Sequence, residues 1–538
     1  MHLKDHDLRQ IDEKRIGSLS APQLRPLALK LLQDLKEARE RLHENPTNSS
    51  CPPSNRPPWD NSDSDSEELF DEEEEEEEEV ETEIEPEEAE KKAGKNPGHD
   101  SEGLDESDGE SPKSASRPAR KPGKPKGAQG YGRTQKMAIT DTKDHFPQRC
   151  ALCDASLNEI RSKAWTGYDV IDIAFGDLSH PGIHTTATRH RHYQSICICG
   201  HTTRHLPHRE APGAEDWEQV ALTEWRLVGP TLCALIIALT YRHRMSRART
   251  QEFLSEWLGI QISTGTLQNC LQEAGRAVAP VEDQLVEELA RSHLLHADET
   301  PHKEHGKLLW LWAFVTSETA LFLIGRREKE MFENVFAELQ NPWLMSDGYR
   351  AYRSYQKRLR CWAHLQRKAK ALEESLHRPM QRIGLEITTA LKTLMKSIYQ
   401  AREGPKQEKS NLMEKHQVLL DRLRRLCVTS QSSRHKKTRA LGTEFLLDWD
   451  AIFRVLEHPE LPLTNNAAEQ ALRHWVILRR VTYGTRSPLG SRTYALLASV
   501  IDTCRRRNVS PWPYLAAVIQ ERRQGHPAPL LPVPIAIS

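Results

Sequence analysis

The stretch Leu294–Val315, LLHADETPHKEHGKLLWLWAFV, does most to restrict what this chain can fold into. A short apolar run delivers Asp298 and Glu299, a polar turn with a glycine follows, and a second, strongly apolar segment closes the unit. That pattern predicts a strand edge carrying a carboxylate, a loop and a buried strand. The pattern returns at Pro342–Tyr349, where PWLMSDGY reads as a short apolar strand ending in Asp347. A third acid, Glu469, lies in TNNAAEQALRHWV, which opens like a helix with Thr464 or Asn465 as its cap. Two strand-end aspartates and a helical glutamate are suited to holding two divalent metals against a phosphodiester. Oxygen-only ligands favour magnesium.

The strands around these acids can be placed from pattern. Leu308–Thr316 and Ala320–Gly325 follow Asp298 as an antiparallel meander, Lys329–Leu339 reads as a helix, and Trp343–Ser346 returns beside the first strand. Asp298 then sits mid-sheet with Asp347 at the end of the neighbouring strand. Glu299 should point the other way in a strand and act from behind or serve structure. The 121 residues between Asp347 and Glu469 are largely helical and basic, with Arg358, Arg360, Arg367, Lys368 and Lys370 as a cover over substrate. His364, in Cys361-Trp362-Ala363-His364, can contact phosphate or a leaving oxygen, or serve as a satisfied structural histidine. Arg473 stands four residues after Glu469, the spacing of an ordinary helical ion pair. Arg479, Arg480, Arg486 and Arg492 flank Tyr483-Gly484-Thr485, a candidate phosphate-contacting loop.

Length and charge bound the rest. A chain of 538 residues exceeds one ordinary core. Its net charge of −2 conceals a partition: residues 60–90 hold twenty acids and no base, residues 1–59 and 91–135 carry +2 and +4, and residues 136–538 carry +12. The foldable part therefore suits a polyanion, although such a charge is also common elsewhere. The apolar run Leu232–Leu239 is too short to span a bilayer, and no signal-peptide pattern opens the chain. Ten cysteines in this length fit a reducing compartment.

Before the acids, four segments have distinct characters. Gln23–Leu42 carries one apolar stripe, Leu24, Leu27, Leu31, Leu35, Ala38 and Leu42, as in a short coiled coil or a docked helix. Asp60–Glu90 should be disordered, either a spacer or a charge mimic of nucleic acid. Cys150-x2-Cys153 has zinc-knuckle spacing, and Cys197-x-Cys199 is one residue short of it, so His190, His192, His201 or His205 could replace one sulfur. Ordinary reduced cysteines are the alternative. Thr250–Leu258, a Gly259 turn, a Ser263 cap and Thr264–Ala274 outline a helix-turn-helix whose Thr264, Thr266, Gln268 and Asn269 could face DNA, or a plain helical packing unit. The segment from Pro527 is proline-rich and expected to be unstructured.

HADET at 296–300, SDGYRAY at 346–352, CWAH at 361–364 and NNAAEQALR at 465–473 resemble, in this order, the signature blocks of the bacterial IS66-type transposases. The resemblance extends to NPTNSSCPPS at 45–54, to the cysteine region, to Arg249–Glu299 and to CRRRNVSPWPYL within Ser499–Leu515. It departs from the family where Ile196 stands in the place expected for a cysteine. The resemblance implies a DDE transposase whose acidic triad is Asp298, Asp347 and Glu469, acting with magnesium or manganese on element-end and target double-stranded DNA. It implies self-association on DNA, accessory proteins of the same element, and a nucleoid-associated place in the bacterial cytoplasm, with no membrane.

The expected fold is multidomain, mixing α+β and α/β parts. Residues 1–59 form an N-terminal helix and 60–135 a disordered acidic linker. Residues 136–215 form a zinc-ribbon-like module, with Cys150, Cys153, Cys197 and Cys199 as zinc ligands, and 216–292 a helical DNA-binding region. An RNase H-like catalytic domain spans 293–498, with a helical insertion at approximately 360–460, and a C-terminal helix with a proline-rich tail occupies 499–538. Candidate DNA contacts are Arg473, Arg479, Arg480, Arg486 and His364. A DNA-binding protein that keeps the fold without the chemistry, or a metal-dependent nuclease, would use the same residues.

Overall fold

The computed structural model describes residues 19–42, 137–176, 179, 181–206, 227–336, 341–404 and 412–535. The acidic run expected to be disordered, with the linker after it, lies outside the described residues. Helix α1 (Ala21–Leu42) forms where the apolar stripe predicts it and leaves Leu24, Leu29, Leu32 and Leu35 exposed. Among the described residues, no helix is long and apolar enough to cross a membrane.

Four strands precede the helical region: β1 (Asp141–His145), β2 (Ser162–Phe175), β3 (Ile183–Ile196) and β4 (Thr202–Arg204). Their order is β1-β3-β2, with β4 on β3 and a long antiparallel β2–β3 hairpin at the centre. The alternation Ile171, Ile173 turns one edge of β2 inward, and its backbone pairs with Leu227 and Gly229. Asp172 then accepts the amide of Leu232 at 2.7 Å in the first turn of α2 (Pro230–Ile237). A helix start has unsatisfied amides, so this carboxylate anchors the strand to the helix.

Helix α2 passes into a π turn at Ala238–Arg242 and is followed by α3 (Arg247–Leu258), α4 (Thr264–Val278) and α5 (Val281–Ala290). The helix-turn-helix outline is present: Gly259 ends α3 at φ 64°, and Ser263 Oγ accepts the amide of Thr266 at 3.1 Å to start α4. These helices do not stand apart as a separate unit. Leu267, Leu271 and Ala274 of α4 share one buried cluster with Trp312 and Phe314 of the second sheet.

That sheet has five strands, β5 (Leu294–Glu304), β6 (Lys307–Val315), β7 (Ala320–Gly325), β8 (Trp343–Ser346) and β9 (Arg358–Arg360), in the order β7-β6-β5-β8-β9. Strands β5, β6 and β7 form the antiparallel meander, and β8 and β9 continue it in parallel. Helix α6 (Lys329–Phe336) crosses between β7 and β8. Strand β6 is apolar without alternation, and Trp310 to Val315 are all buried, as for a strand covered on both faces. Strand β5 runs six residues past Asp298, so this acid is mid-strand rather than at a strand end.

Helices α7 (Trp362–Glu373), α8 (Arg378–Glu403), α9 (Gln417–Gln431) and α10 (Lys436–Leu447) bury a core of their own, including Trp362, Leu391 and Phe445. Arg358 and Arg360 do not cover substrate. Arg358 bonds Asp448 at 2.6 Å, Arg360 pairs with Glu444 and Asp448, and Lys368 reaches Glu444 at 2.9 Å. These pairs tie β9 to the helical insertion.

The chain closes with α11 (Asn466–Thr482), α12 (Pro488–Arg506) and α13 (Pro511–Arg523). Helix α12 is unbroken across position 498, where the sequence suggested a boundary, because Ser499 and Thr503 bond the backbone of β7. Arg523 of α13 grips Glu273 of α4 through two bonds, at 2.5 and 2.9 Å, with both side chains buried. The proline-rich segment is also held, against expectation. Arg507 donates to Pro532 O, Tyr514 to Pro529 O, and Leu531 is buried. Proline supplies no N–H, but its carbonyl still accepts.

Helix α11 is joined to the π turn by His474, whose Nε2 donates to Tyr241 O at 2.8 Å while Nδ1 accepts from Arg244 at 2.8 Å. Burial first, then Arg244 and Arg242, hold this imidazole down to about 4. A depressed value means that the contribution is present above the ordinary imidazole range and is lost as pH falls through about 4. Stability should therefore decline between about pH 6.5 and about pH 4, by roughly 2 kcal/mol after solvent screening. Urea midpoints at about pH 7 and about pH 5 should converge in His474→Asn relative to the wild type, and an equal pH drop in both would remove His474 as the cause.

Candidate metal centres

Two groups of metal-ligating side chains converge among the described residues. In the first, the turn after Cys150 and the β3–β4 connection bring Cys150, Cys153, Cys197 and Cys199 together, with all four sulfurs within 4.8 Å of one another. Cys150 Sγ lies 3.6 Å from Cys199 Sγ, and Cys153 Sγ lies 3.5 Å from Cys197 Sγ. Four thiolates at about 2.3 Å from one zinc would stand about 3.8 Å apart, so the donor set fits a tetrahedral ion. The amides of Cys153 and Leu152 point at Cys150 and pull its thiol down to about 6. The short second pair completes the quartet without a histidine. His145, His190, His192 and His205 instead stack on one another, with His145 Nε2 and His190 Nδ1 2.9 Å apart.

The acids gather at the other centre. The parallel pairing of β5 with β8 ends at His296 and Met345. Asp298 and Asp347 each stand two residues beyond that pair, where the two chains part in register. Burial, then the charges of Asp347, Glu299 and Glu469, hold the Asp298 carboxyl well above the usual range. Its Oδ1 accepts the amide of Glu299 at 3.1 Å, and Asp347 Oδ1 accepts that of Tyr349 at 2.9 Å.

Glu469 comes from the first turn of α11, which lies against β5 and β6. Asn465 positions it: it is the N-cap residue, as the sequence suggests, but its side chain makes no capping bond. Its side chain is fully buried and turned to β5, where Nδ2 donates to Ala297 O at 2.7 Å and Oδ1 stands 3.1 Å from His296 Nδ1. Glu469 turns to α7 and not to Arg473, with Oε1 3.7 Å from His364 Nδ1 and Oε2 3.5 Å from Arg367. Among the described residues, the groups with all ligand atoms within 4.8 Å are the cysteine quartet and Cys361, His364 and Glu469. The three acids thus share one electrostatic neighbourhood, while Glu469 leans away toward cations. Its Oε1 has no hydrogen-bond partner, which suits an atom that a metal would draw in.

Glu299 has other partners. It accepts from Tyr352 Oη at 2.7 Å and Arg327 at 3.1 Å, and burial, then Asp347, push its carboxyl up to about 7. Arg327 is itself sandwiched over the rings of Trp310 and Tyr349. Arg473, Arg480 and Arg486 are exposed, whereas Arg479 is half-buried and donates to Thr300 Oγ1 at 3.2 Å. The Tyr483-Gly484-Thr485 loop closes on the β5–β6 hairpin instead of offering free amides. Thr485 N donates to Lys303 O at 2.9 Å, and a Cβ on Gly484, at φ +82°, would come 2.0 Å from that carbonyl. Sequence reasoning placed Arg367 only in a general basic cover and missed the bridge of Asn465. The repeated Asn465-Asn466 before the helix was the available signal.

A model of the Transposase IS66 family matches residues 226–493. Two proteins of Sinorhizobium fredii, named uncharacterized protein y4qI and uncharacterized protein y4hP, are similar. The first is 23% identical over 309 residues, covering 50% of this chain and 55% of the relative. The second is 24% identical over 335 residues, covering 56% and 60%. The chain thus spans between half and two thirds of the length of these curated relatives.

The all-cysteine quartet carries its own test. Cys197→Ser should lower the zinc content of the full chain by one ion and unfold the β1–β4 module, because such modules draw folding energy from their ligands. His201→Ala, which leaves the sulfurs in place, should keep the zinc. Elemental analysis showing zinc retained in the first variant, or lost in the second, would contradict the assignment.

Proposed function

The chain belongs to the Transposase IS66 family, and on that premise we propose that it is a DDE-type transposase, cutting element-end DNA and joining it to a target duplex. The supporting observation is the junction of the three acids. Asp298 lies on the central strand, Asp347 is in register one strand over, and Glu469 is on a helix buttressed against Asp298's own strand. The strand order, with a helical insertion before the third acid, supports an RNase H-like reading of residues 293–498.

The donor set fits magnesium or manganese, since burial first and then the neighbouring carboxylates hold the Asp298 carboxyl well above its usual range, a cost that a cation would relieve. Divalent metal held there would lower the pKa of an attacking water or 3′-hydroxyl and neutralise charge building on the phosphate. The protein's share is geometric. Pairing of Asp298 with Ala313 of β6 holds its backbone, and the turn amide on Asp347 holds that carboxylate. His364 and Arg367 stand beside Glu469 to meet phosphate oxygens or the leaving oxygen. Exposed Arg473, Arg480 and Arg486 would follow the backbone of a duplex, and their contacts would weaken with salt. The exposed Thr264 and Asn269 of α4 offer a second contact to DNA. Copies of the chain would assemble on paired ends, and the cysteine module would add a zinc-ordered basic surface.

The test is incubation of purified protein with end DNA and magnesium, resolving nicked from joined products. Asp298→Asn, Asp347→Asn and Glu469→Gln should each cut cleavage and joining by about a hundredfold or more while end binding survives. A folded Glu469→Gln that reacts at the wild-type rate would refute the triad. Nicking without joining in the wild type would point to a nuclease, and binding without either product to a DNA-binding protein.

A further inference from the structure

Cys361 has no role in that chemistry, yet the fold brings its sulfur together with His364 and Glu469. Cys361 is the residue before α7 and His364 is in its first turn, a spacing of three that puts both on one side of the helix start. A sulfur of Cys361, a ring nitrogen of His364 and a carboxylate oxygen of Glu469 lie within 4.8 Å of one another. Asn465 N donates to Cys361 Sγ at 3.3 Å and the sulfur sits at the positive end of a helix; burial raises the thiol, and these amides work against it. His364 Nδ1 and Glu469 Oε1 face each other at 3.7 Å, and neither has a hydrogen-bond partner. That gap is too wide for a hydrogen bond and close to the roughly 3.4 Å between a nitrogen and an oxygen on one tetrahedral zinc.

We propose that Cys361, His364 and Glu469 form a second zinc site, distinct from the cysteine quartet, which takes Glu469 out of the acid centre. Zinc accepts sulfur, nitrogen and oxygen together, whereas magnesium rejects the thiolate. On binding, the thiol proton leaves to solvent and a Zn–S bond forms. Thiolate and carboxylate then neutralise the ion in a half-buried place, with a fourth position open to water. A Glu469 turned to zinc stays directed at His364 and away from the aspartates, so zinc acts as a brake on the magnesium-dependent reaction. The brake rests on the transposase reading, and the binding does not.

The full-length chain, stripped with chelator and re-equilibrated with zinc alone, should hold one ion beyond the quartet's. Cys361→Ser should lose that ion and keep the other. His364→Asn, at a less buried position, should do the same and covers the case in which the cysteine variant fails to fold. Cobalt in place of zinc should show a thiolate charge-transfer band that Cys361→Ser weakens without abolishing. Zinc counts equal to wild type in both variants would overturn the proposal. A second ion lost in both supports the site even if no joining is found, an outcome that would tell against the strand-transfer reading alone.

Discussion

The site depends on one buried amide. Asn465 bonds the backbone of β5 through its side chain and Cys361 through its backbone N–H, and one residue group away Trp362 N donates to Leu463 O at 2.9 Å. The two ends of the helical insertion therefore meet where the acids meet. About a hundred residues leave the sheet after β9, fold on their own core and return to within hydrogen-bond distance of their departure. A buried amide left unpartnered costs about 1–3 kcal/mol per group, so the position is closed to most other side chains. Asn465 sets the register of α11 against β5, and through it the place of Glu469.

Electrostatics then explain why the carboxylates are arranged as they are. Two aspartates forced into register by parallel strands cannot both ionise cheaply in a half-buried place, and burial together with Asp347 holds the Asp298 carboxyl well above its usual range. Glu469 turns from the aspartates toward Arg367 and His364. Glu299, one residue from Asp298, adds to the repulsion, and Arg327 and Tyr352 partner its carboxylate from the other side. The centre thus has a deficit of positive charge that a hard divalent cation would correct, and one acid turned toward a sulfur and an imidazole.

Much of this was legible in the sequence. The unalternating β6 announced a doubly covered strand, the strand-strand-strand-helix-strand order followed from pattern, and both strand-borne aspartates were visible as acids closing apolar runs. What escaped depends on partners far along the chain. Arg358 and Arg360 read as surface cations because their acids, Asp448 and Glu444, lie some eighty to ninety residues away. The segment from Pro527 read as unstructured because proline content speaks for the missing N–H and not for carbonyls that Arg507 and Tyr514 can hold. The helices before Leu294 looked like a separate unit, since nothing local shows that α4 and the sheet bury one another. Cys197-x-Cys199 looked defective by spacing, yet the turn between β3 and β4 brings both sulfurs to the quartet.

The central claim is that Asp298, Asp347 and Glu469 hold hard divalent metal as one unit. Manganese binding to the full chain, followed by electron paramagnetic resonance in the absence of DNA, reads this directly. Bound manganese should give the broadened signal of ions held close together, and that signal should be lost in Asp298→Asn and in Asp347→Asn. Bound manganese that is unchanged in both variants would contradict it.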